Sequence, residues 1–277
     1  MSGKLMVVGT PIGNLSDFSP RAVETLREAD FIAAEDTRVT VKLLNRFEIK
    51  KPMISYFEHN KHERGQTICD RIEAGETCAL VSDAGMPAIS DPGELLVAQC
   101  AERGIQVLVV PGPSAVVSAL AISGLPTGRF TFEGFLSMNK KSRREHLSGV
   151  KSEQRTMIFY EAPHKLTNTL NDMLAAWGDR RIALVRELTK IHEEVIRTTL
   201  AQAVVRYADG GARGEYVLVI EGAPAPTRTE FTLEDGVAMG QDLMESGLSA
   251  SESAKQAAAE TGIKKGDIYK AILQKND

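Results

Sequence analysis

Polar residues gather at a few points of this 277-residue chain, each directly after a short apolar run. The densest is Asp83-Ala84-Gly85-Met86-Pro87-Ala88-Ile89-Ser90-Asp91-Pro92-Gly93, with two aspartates, two glycines and two prolines in eleven residues. Glycine lets main chain approach a ligand closely, and proline fixes φ and stiffens a loop. Glu35-Asp36-Thr37-Arg38, Glu58-His59-Asn60, Glu161-Ala162-Pro163-His164-Lys165 and Arg186-Glu187-Leu188-Thr189-Lys190 are further clusters. Carboxylates, histidines and lysines so placed suit proton transfer and the holding of a polar ligand. Plainer readings exist for each: Asp36 or Thr37 as a helix cap, His59 as a solvated loop residue, 83–93 as a turn before a helix. Other chemistries are excluded by spacing. Gly9 and Gly13 do not form the G-x-G-x-x-G fingerprint, and no Gly-Lys-Ser/Thr follows them. Cys69, Cys78 and Cys100 form neither a CxxC pair nor a zinc spacing, so no metal is expected.

These clusters need strands to hold them. Residues 4–9, 31–34, 53–57, 77–81 and 105–110 read as short buried strands. Helix patterns alternate with them. The first has Ser19 as cap, Pro20 at the first helical position, and Val23 and Leu26 on one face; others cover about 40–47, 63–74 and 94–103. Such alternation predicts a mostly parallel sheet covered on both faces, with ligands beyond the carboxyl ends of its strands. Pro111-Gly112-Pro113 then leads into the small residues Ser114, Ala115, Ser118 and Ala119. They would let a flat ligand lie close to the backbone, or pack a helix tightly on a sheet.

The second half repeats the style. Strand patterns cover 129–135, 156–160 and 182–185, with 195–197 pairing alongside and 216–220 closing the sheet. Leu166, Leu170, Met173 and Leu174 form a helix face. The expected organisation is an α/β domain at 1–112, a second at 113–223, and a helical tail at 227–277. Ala223-Pro224-Ala225-Pro226-Thr227 reads as the linker. In the tail, 250–261 and 265–274 have helix-turn-helix spacing around Gly262, with Ser249 as a cap.

Composition narrows the class. Hydrophobic content of 43% and charged content of 25% fit a soluble globular protein. No apolar run reaches the roughly 20 residues of a membrane span, and the cysteines read as reduced thiols, so a cytoplasmic protein is expected. The net charge of -4 gives no global attraction to nucleic acid. Locally the balance reverses: Lys140, Lys141, Arg143, Arg144, Lys151 and Arg155 face only Glu145 and Glu153, a local charge of +4. Residues 140–150 read as partly helical, and as a flexible basic loop beside a cleft the segment suits phosphate contacts.

The order VGTPIGNL, AEDTR, LVSDAGMPAISDPG, PGPSA, FYEAPHK and RELTK closely resembles the small-subunit ribosomal RNA methyltransferase I family, part of the tetrapyrrole-methylase (class III) superfamily. The resemblance covers about residues 4–222, and the tail also looks like the family's terminal helix-turn-helix segment. It implies two α/β domains with S-adenosylmethionine in the cleft between them. It implies methylation of the ribose 2'-hydroxyl of a cytidine in the 16S rRNA decoding region, by a homodimer. Carried onto this chain, the cofactor pocket draws on Asp83, Ala84, Gly85, Ile89 and Ser90, then Ser114 and Ala115, Phe159 and Tyr160, Leu188 and Thr189, and Gly214 and Glu215. Pro11, Ile12 and Gly13 border the transferred methyl. The lack of a further G-x-G element favours RNA over a tetrapyrrole. Met86 stands where Thr is expected.

A ribose hydroxyl is a weak acid, so a base should take its proton. Asp36, Arg38, Glu187 and Lys190 are the expected catalytic residues, with the base unassigned; a lysine base would need its pKa lowered by burial or a cation such as Arg186. Lys140, Lys141, Arg143 and Arg144, together with the tail, are expected to touch RNA. Two other readings differ in kind: a methylase of a planar tetrapyrrole, with a more apolar cleft, and a non-catalytic nucleic-acid-binding protein built on the terminal helices.

Overall fold

The computed structural model describes residues 3–225 and 231–275. Pro226 and Thr227 of the expected linker, and the last two residues, lie outside the described residues. Two compact units result, 1–223 and 224–277.

Local chemistry sets the first βα unit. The Ser19 hydroxyl accepts from the Ala22 N–H, Pro20 opens α1 (Pro20–Glu28), and Val23 and Leu26 turn inward beside β1 (Lys4–Val8). Then come β2 (Phe31–Ala34), α2 (Thr37–Arg46), β3 (Met53–Ser55), α3 (Lys61–Glu73), β4 (Cys78–Val81), α4 (Gly93–Glu102) and β5 (Gln106–Val110). The five strands form one parallel sheet in the order β3-β2-β4-β1-β5. Alternate residues face two cores. Val8, Ile32, Ala79 and Val81 meet α1 and α2; Leu5, Phe31, Cys78 and Leu80 meet α3 and α4. The expected buried fifth strand is corrected here: β5 lies at the sheet edge, with Leu108 38% and Val109 56% exposed. Its sequence is as apolar as β1, but a strand is covered by its neighbours, and β5 has only one.

β1 and β4 lie side by side, yet the chain leaves β1 toward β2 and leaves β4 toward β5, in opposite directions along the sheet. Such a switch point opens a crevice beyond the carboxyl ends of the two strands.

After β5 the chain enters α5 (Ala115–Ser123), which packs on the second sheet through Val116, Ala119 and Leu120. That sheet comprises β6 (Phe130–Phe135), β7 (Thr156–Glu161), β8 (Arg181–Arg186), β9 (Glu194–Thr199) and β10 (Tyr216–Ile220), in the order β6-β7-β10-β8-β9. α6 (Lys140–Gly149), α7 (Leu166–Trp177) and α8 (Leu200–Arg206) connect them. The expected closing strand is corrected: β10 fills the centre of the sheet, antiparallel to β7 and β8, and within this sheet only β6 and β7 pair in parallel. Its five consecutive buried residues, Tyr216 to Ile220, are covered on both faces, as a central strand's must be.

The described residues of the terminal unit form three helices, α9 (Leu233–Glu245), α10 (Ala250–Thr261) and α11 (Lys265–Lys275). Capping boxes at Thr232/Asp235 and Ser249/Glu252 start the first two, and Gly262 at φ 73° ends α10. Val237, Ala254, Ala257, Ile268 and Ile272 form its own small core.

Candidate functional site

The crevice is built from the loops after β1 and β4. Thr10 and Gly85 exchange main-chain hydrogen bonds of 2.9 and 3.1 Å, which locks the two loops together. Gly85 has φ 85°, and Ala88 and Ser90 also adopt left-handed backbone, at 67° and 63°. Asp91 holds this shape: its Oδ1 accepts from Ala88 N–H at 3.0 Å and Gly93 N–H at 2.7 Å. The buried Tyr56 hydroxyl donates to the Pro92 carbonyl at 3.1 Å. Backbone held in such sparsely populated conformations concentrates at ligand sites. On the β5 side, Gly9 and Gly112 stack main chain on main chain; a methyl at Gly9 would lie 2.7 Å from Gly112 Cα. Met86 has a task after all: its Sδ accepts from Gly112 N–H at 3.3 Å, joining the central loop to Pro111-Gly112-Pro113. Ser114 and Ala115 follow, half-buried at the start of α5.

The second sheet supplies the facing wall. Glu187 and Thr189 are left-handed at φ 49° and 65°. The Glu187 N–H donates to the Glu215 carbonyl at 3.0 Å, and Glu187 Oε1 accepts from the Glu215 N–H at 2.9 Å. Gly214 takes φ 76°, which favours glycine, and a methyl there would lie 2.5 Å from the Glu187 side chain. This loop reaches the first sheet: a methyl on Gly13 would lie 2.5 Å from Lys190 Cγ and 2.8 Å from Thr189 Oγ1. The structure thus brings Gly13, in the Pro11-Ile12-Gly13 turn, against Leu188-Thr189-Lys190, although the two segments lie far apart in sequence. Thr189 Oγ1 is buried without a hydrogen-bond partner among the described residues. An orphaned hydroxyl, small residues and the exposed Asp83, Ala84 and Ser90 fit a nucleoside-bearing cofactor with polar edges.

Charges divide the site in two. Lys190 Nζ donates to Glu187 Oε1 at 3.0 Å and to Glu215 Oε2 at 2.8 Å. Burial opposes the ammonium, but these two bonds outweigh it and raise its pKa. Glu187 is lowered by the Glu215 N–H and by Lys190. Arg186 does not press on Lys190; it donates to the Arg213 carbonyl and to Glu194. Across the cleft, Asp36 both caps α2 and clasps Arg38, so its cap reading and its functional reading share one geometry. The Arg38 hydrogen bonds hold the Asp36 carboxyl down at about 2. Glu35 and Asp83 are instead pushed up, first by burial and then by neighbouring carboxylates, and each accepts a main-chain N–H: Asp83 Oδ1 from Asp36 at 3.0 Å, Glu35 Oε2 from Asp83 at 3.4 Å.

Some expected residues lie elsewhere. Phe159 is fully buried on the core face of β7, against Trp177 and His146, so its ring is turned away from Tyr160 and only its main chain can border the cleft. The partly helical reading of 140–150 holds and the flexible-loop reading does not: α6 covers Lys140–Gly149, capped by Asn139 at Lys141 and Ser142. Arg143 is buried, bonded to Asp172 and to the Ser137 and Met138 carbonyls, which removes it from any RNA surface. Lys140, Lys141 and Arg144 share the exposed face of α6 with Glu145 and Ser148, and Arg144 also donates to Asp172 at 3.0 Å. His59 is exposed, edge-on to Phe57, while Asn60 folds onto the Ser55 carbonyl and the Phe57 N–H. Tyr56 escaped the sequence reading, and Asp91 and Gly112, though inside the stretches it singled out, were given no role of their own. For Asp91 the signal was present: an aspartate two residues before the glycine that opens a helix.

Residues 4–204 match the family of Tetrapyrrole (Corrin/Porphyrin) Methylases. A Synechocystis sp. protein named Ribosomal RNA small subunit methyltransferase I is 47% identical over 273 residues, 98% of each chain. The chain belongs to the ribosomal RNA small subunit methyltransferase I family. A Thermotoga maritima member of this family is 48% identical over 220 residues, 79% of this chain and 99% of its own. The fold is shared with a Thermus thermophilus uroporphyrin-III C-methyl transferase complexed with S-adenosyl homocysteine. That match has a TM-score of 0.56 at 18% identity and covers 79% of this chain and 97% of the other.

Proposed function

We propose that this methyltransferase carries a methyl group from S-adenosylmethionine to the ribose 2'-hydroxyl of a cytidine in 16S rRNA, working on the small ribosomal subunit. The observation that carries the reading is the meeting of Pro11-Ile12-Gly13 with Leu188-Thr189-Lys190 at the switch point of the first sheet. S-adenosylmethionine supplies an electrophilic methyl on a sulfonium when bound. The residues to hold it are the main chain of Asp83, Ala84, Gly85, Ile89 and Ser90, the orphan hydroxyl of Thr189 with Leu188, and Ser114, Ala115, Tyr160, Gly214 and Glu215. Pro11, Ile12 and Gly13 border the methyl to be transferred.

Lys190 is a cation at neutral pH, so it orients rather than abstracts: its ammonium offers a hydrogen to a ribose or phosphate oxygen. The ionised Glu187 carboxylate beside it accepts the proton that the hydroxyl must give up. Asp36 fixes Arg38, whose side chain is 87% exposed and whose remaining N–H groups can meet a phosphate. Lys140, Lys141 and Arg144 extend that phosphate contact along α6. The exposed β5 edge, with Leu108 and Val109, supports a homodimer, and a ribosomal substrate supports a cytoplasmic location. Among the described residues no helix is long and apolar enough to cross a membrane.

Labelled S-adenosylmethionine, offered with small subunits lacking the modification, tests the reading. Naked 16S rRNA, transfer RNA and a tetrapyrrole run alongside. Label recovered as 2'-O-methylcytidine from the subunit is the expected result. Label on the tetrapyrrole, or on no RNA, overturns it.

A further inference from the structure

Phe135 is a large aromatic left 57% exposed at the end of β6, and the strand is distorted to put it there. β6 and β7 pair in register through Phe132 and Ile158, then shift, so that Gly134 pairs with Phe159. Glu133 is the extra residue, and Gly134 takes φ 66°. Along an undistorted strand, positions 132 and 135 face opposite sides. The bulge turns Phe135 to the side of Phe132, and both rings meet Tyr160, at centroid distances of 5.0 and 5.3 Å. Bulges re-aim side chains in this way, and they gather next to active sites.

The surroundings are built to keep the ring in place. Lys165 Nζ lies 5.6 Å from the Phe135 centroid. It is fixed there by Glu161 Oε1 at 3.1 Å and the Leu136 carbonyl at 3.3 Å. Glu161 is 2% exposed and also accepts from the Ala162 N–H and the Thr169 hydroxyl. This accounts for the Glu161-Ala162-Pro163-His164-Lys165 cluster, which the cleft chemistry leaves unused. The platform adjoins the cleft: a methyl on Gly134 would lie 3.3 Å from Ser90 Oγ in the central loop.

We infer that Phe135, backed by Tyr160 and Lys165, is the stacking platform for the base of the nucleotide that enters the cleft. The inference rests on the RNA reading above. An unpaired pyrimidine ring lies on the open face of Phe135, and its ribose is thereby aimed past Ser90. A base leaves its stack only if another π surface replaces what it loses, and aromatic side chains do this for any base. Glu161 and Lys165 are positioning residues that act through the ring.

The test uses the full chain, small subunits lacking the modification, and labelled S-adenosylmethionine. Wild-type transfer comes first; its failure strikes the RNA reading, not the platform. With an active wild type, Phe135→Ala is expected to lower kcat/KM for subunits about tenfold to a hundredfold. Cofactor affinity by calorimetry and the sedimentation coefficient should not change. Phe135→Trp should recover most of the loss, and Phe135→Leu, which keeps apolar bulk without a π face, should not. Val205→Ala, at another exposed apolar residue, should match wild type. Wild-type activity in Phe135→Ala, equal activity in the Leu and Trp variants, or a changed sedimentation coefficient showing that a second copy covers the ring, would each overturn the inference.

Discussion

Lys190 is held between Glu187 and Glu215, so both its charge and its position depend on carboxylates. A lysine base would need the opposite environment. Lys190→Met should therefore cut turnover about 100-fold while cofactor affinity stays within about threefold, and Lys190→Arg should keep part of the rate. With the Lys190 pKa raised and that of Glu187 lowered, the pair stays charged from about pH 6 to about pH 9, and kcat/KM should be flat across that window. A rate that climbs steeply toward pH 10 would restore Lys190 as the base. Asp36 gives a second handle. Its folded-state pKa is depressed to about 2 by Arg38, so its stabilisation is present above the unfolded value and lost as pH falls toward the folded one. The gap in melting temperature between wild type and Asp36→Asn should be fully open at neutral pH and close between about pH 4 and about pH 2. Residue types and order announced these groups. The partners were hidden, because Lys190 and Glu215 meet only after β10 has been inserted beside β8.

Elements place those residues through contacts that leave no space. Gly9 and Gly112 touch backbone to backbone at the β1 and β5 ends, so Gly9→Ala must separate the strands. It should cost about 1–3 kcal/mol and abolish cofactor binding, whereas Gly128→Ala, with open space around it, should change neither. Denaturant unfolding and calorimetry check both. The α6 helix is anchored by Arg143 on Asp172, both nearly buried. Asp172→Ala leaves an uncompensated buried cation and should destabilise by about 3 kcal/mol in denaturant unfolding. Helix starts were readable in advance at Ser19, Pro20 and Ser249, since a cap bonds residues two or three positions away. The α6 anchor was not, because Arg143 and Asp172 are 29 residues apart and nothing local separates Arg143 from the exposed Arg144. α8 was missed because it is only seven residues long and starts directly after β9.

On the scale of the molecule, a net charge of -4 repels RNA except where basic groups are concentrated. Reversing Lys140, Lys141 and Arg144 to glutamate should weaken subunit binding and flatten its dependence on log salt concentration by about two. Filter binding across salt concentrations checks this, and an unchanged slope removes α6 from the interface. By itself the sequence determined the alternation of strands and helices, the loops that carry chemistry, the caps and the family. All depend on side-chain type and spacing along a few residues. Tertiary structure alone decided the strand order, and with it which apolar strand is central and which is an edge. It also decided that Phe159 belongs to the core and Arg143 to an anchor, and that a bulge turns Phe135 outward. The reason is physical: burial, pKa and exposure come from whatever packs against a residue, and in this chain that neighbour is usually dozens of positions away.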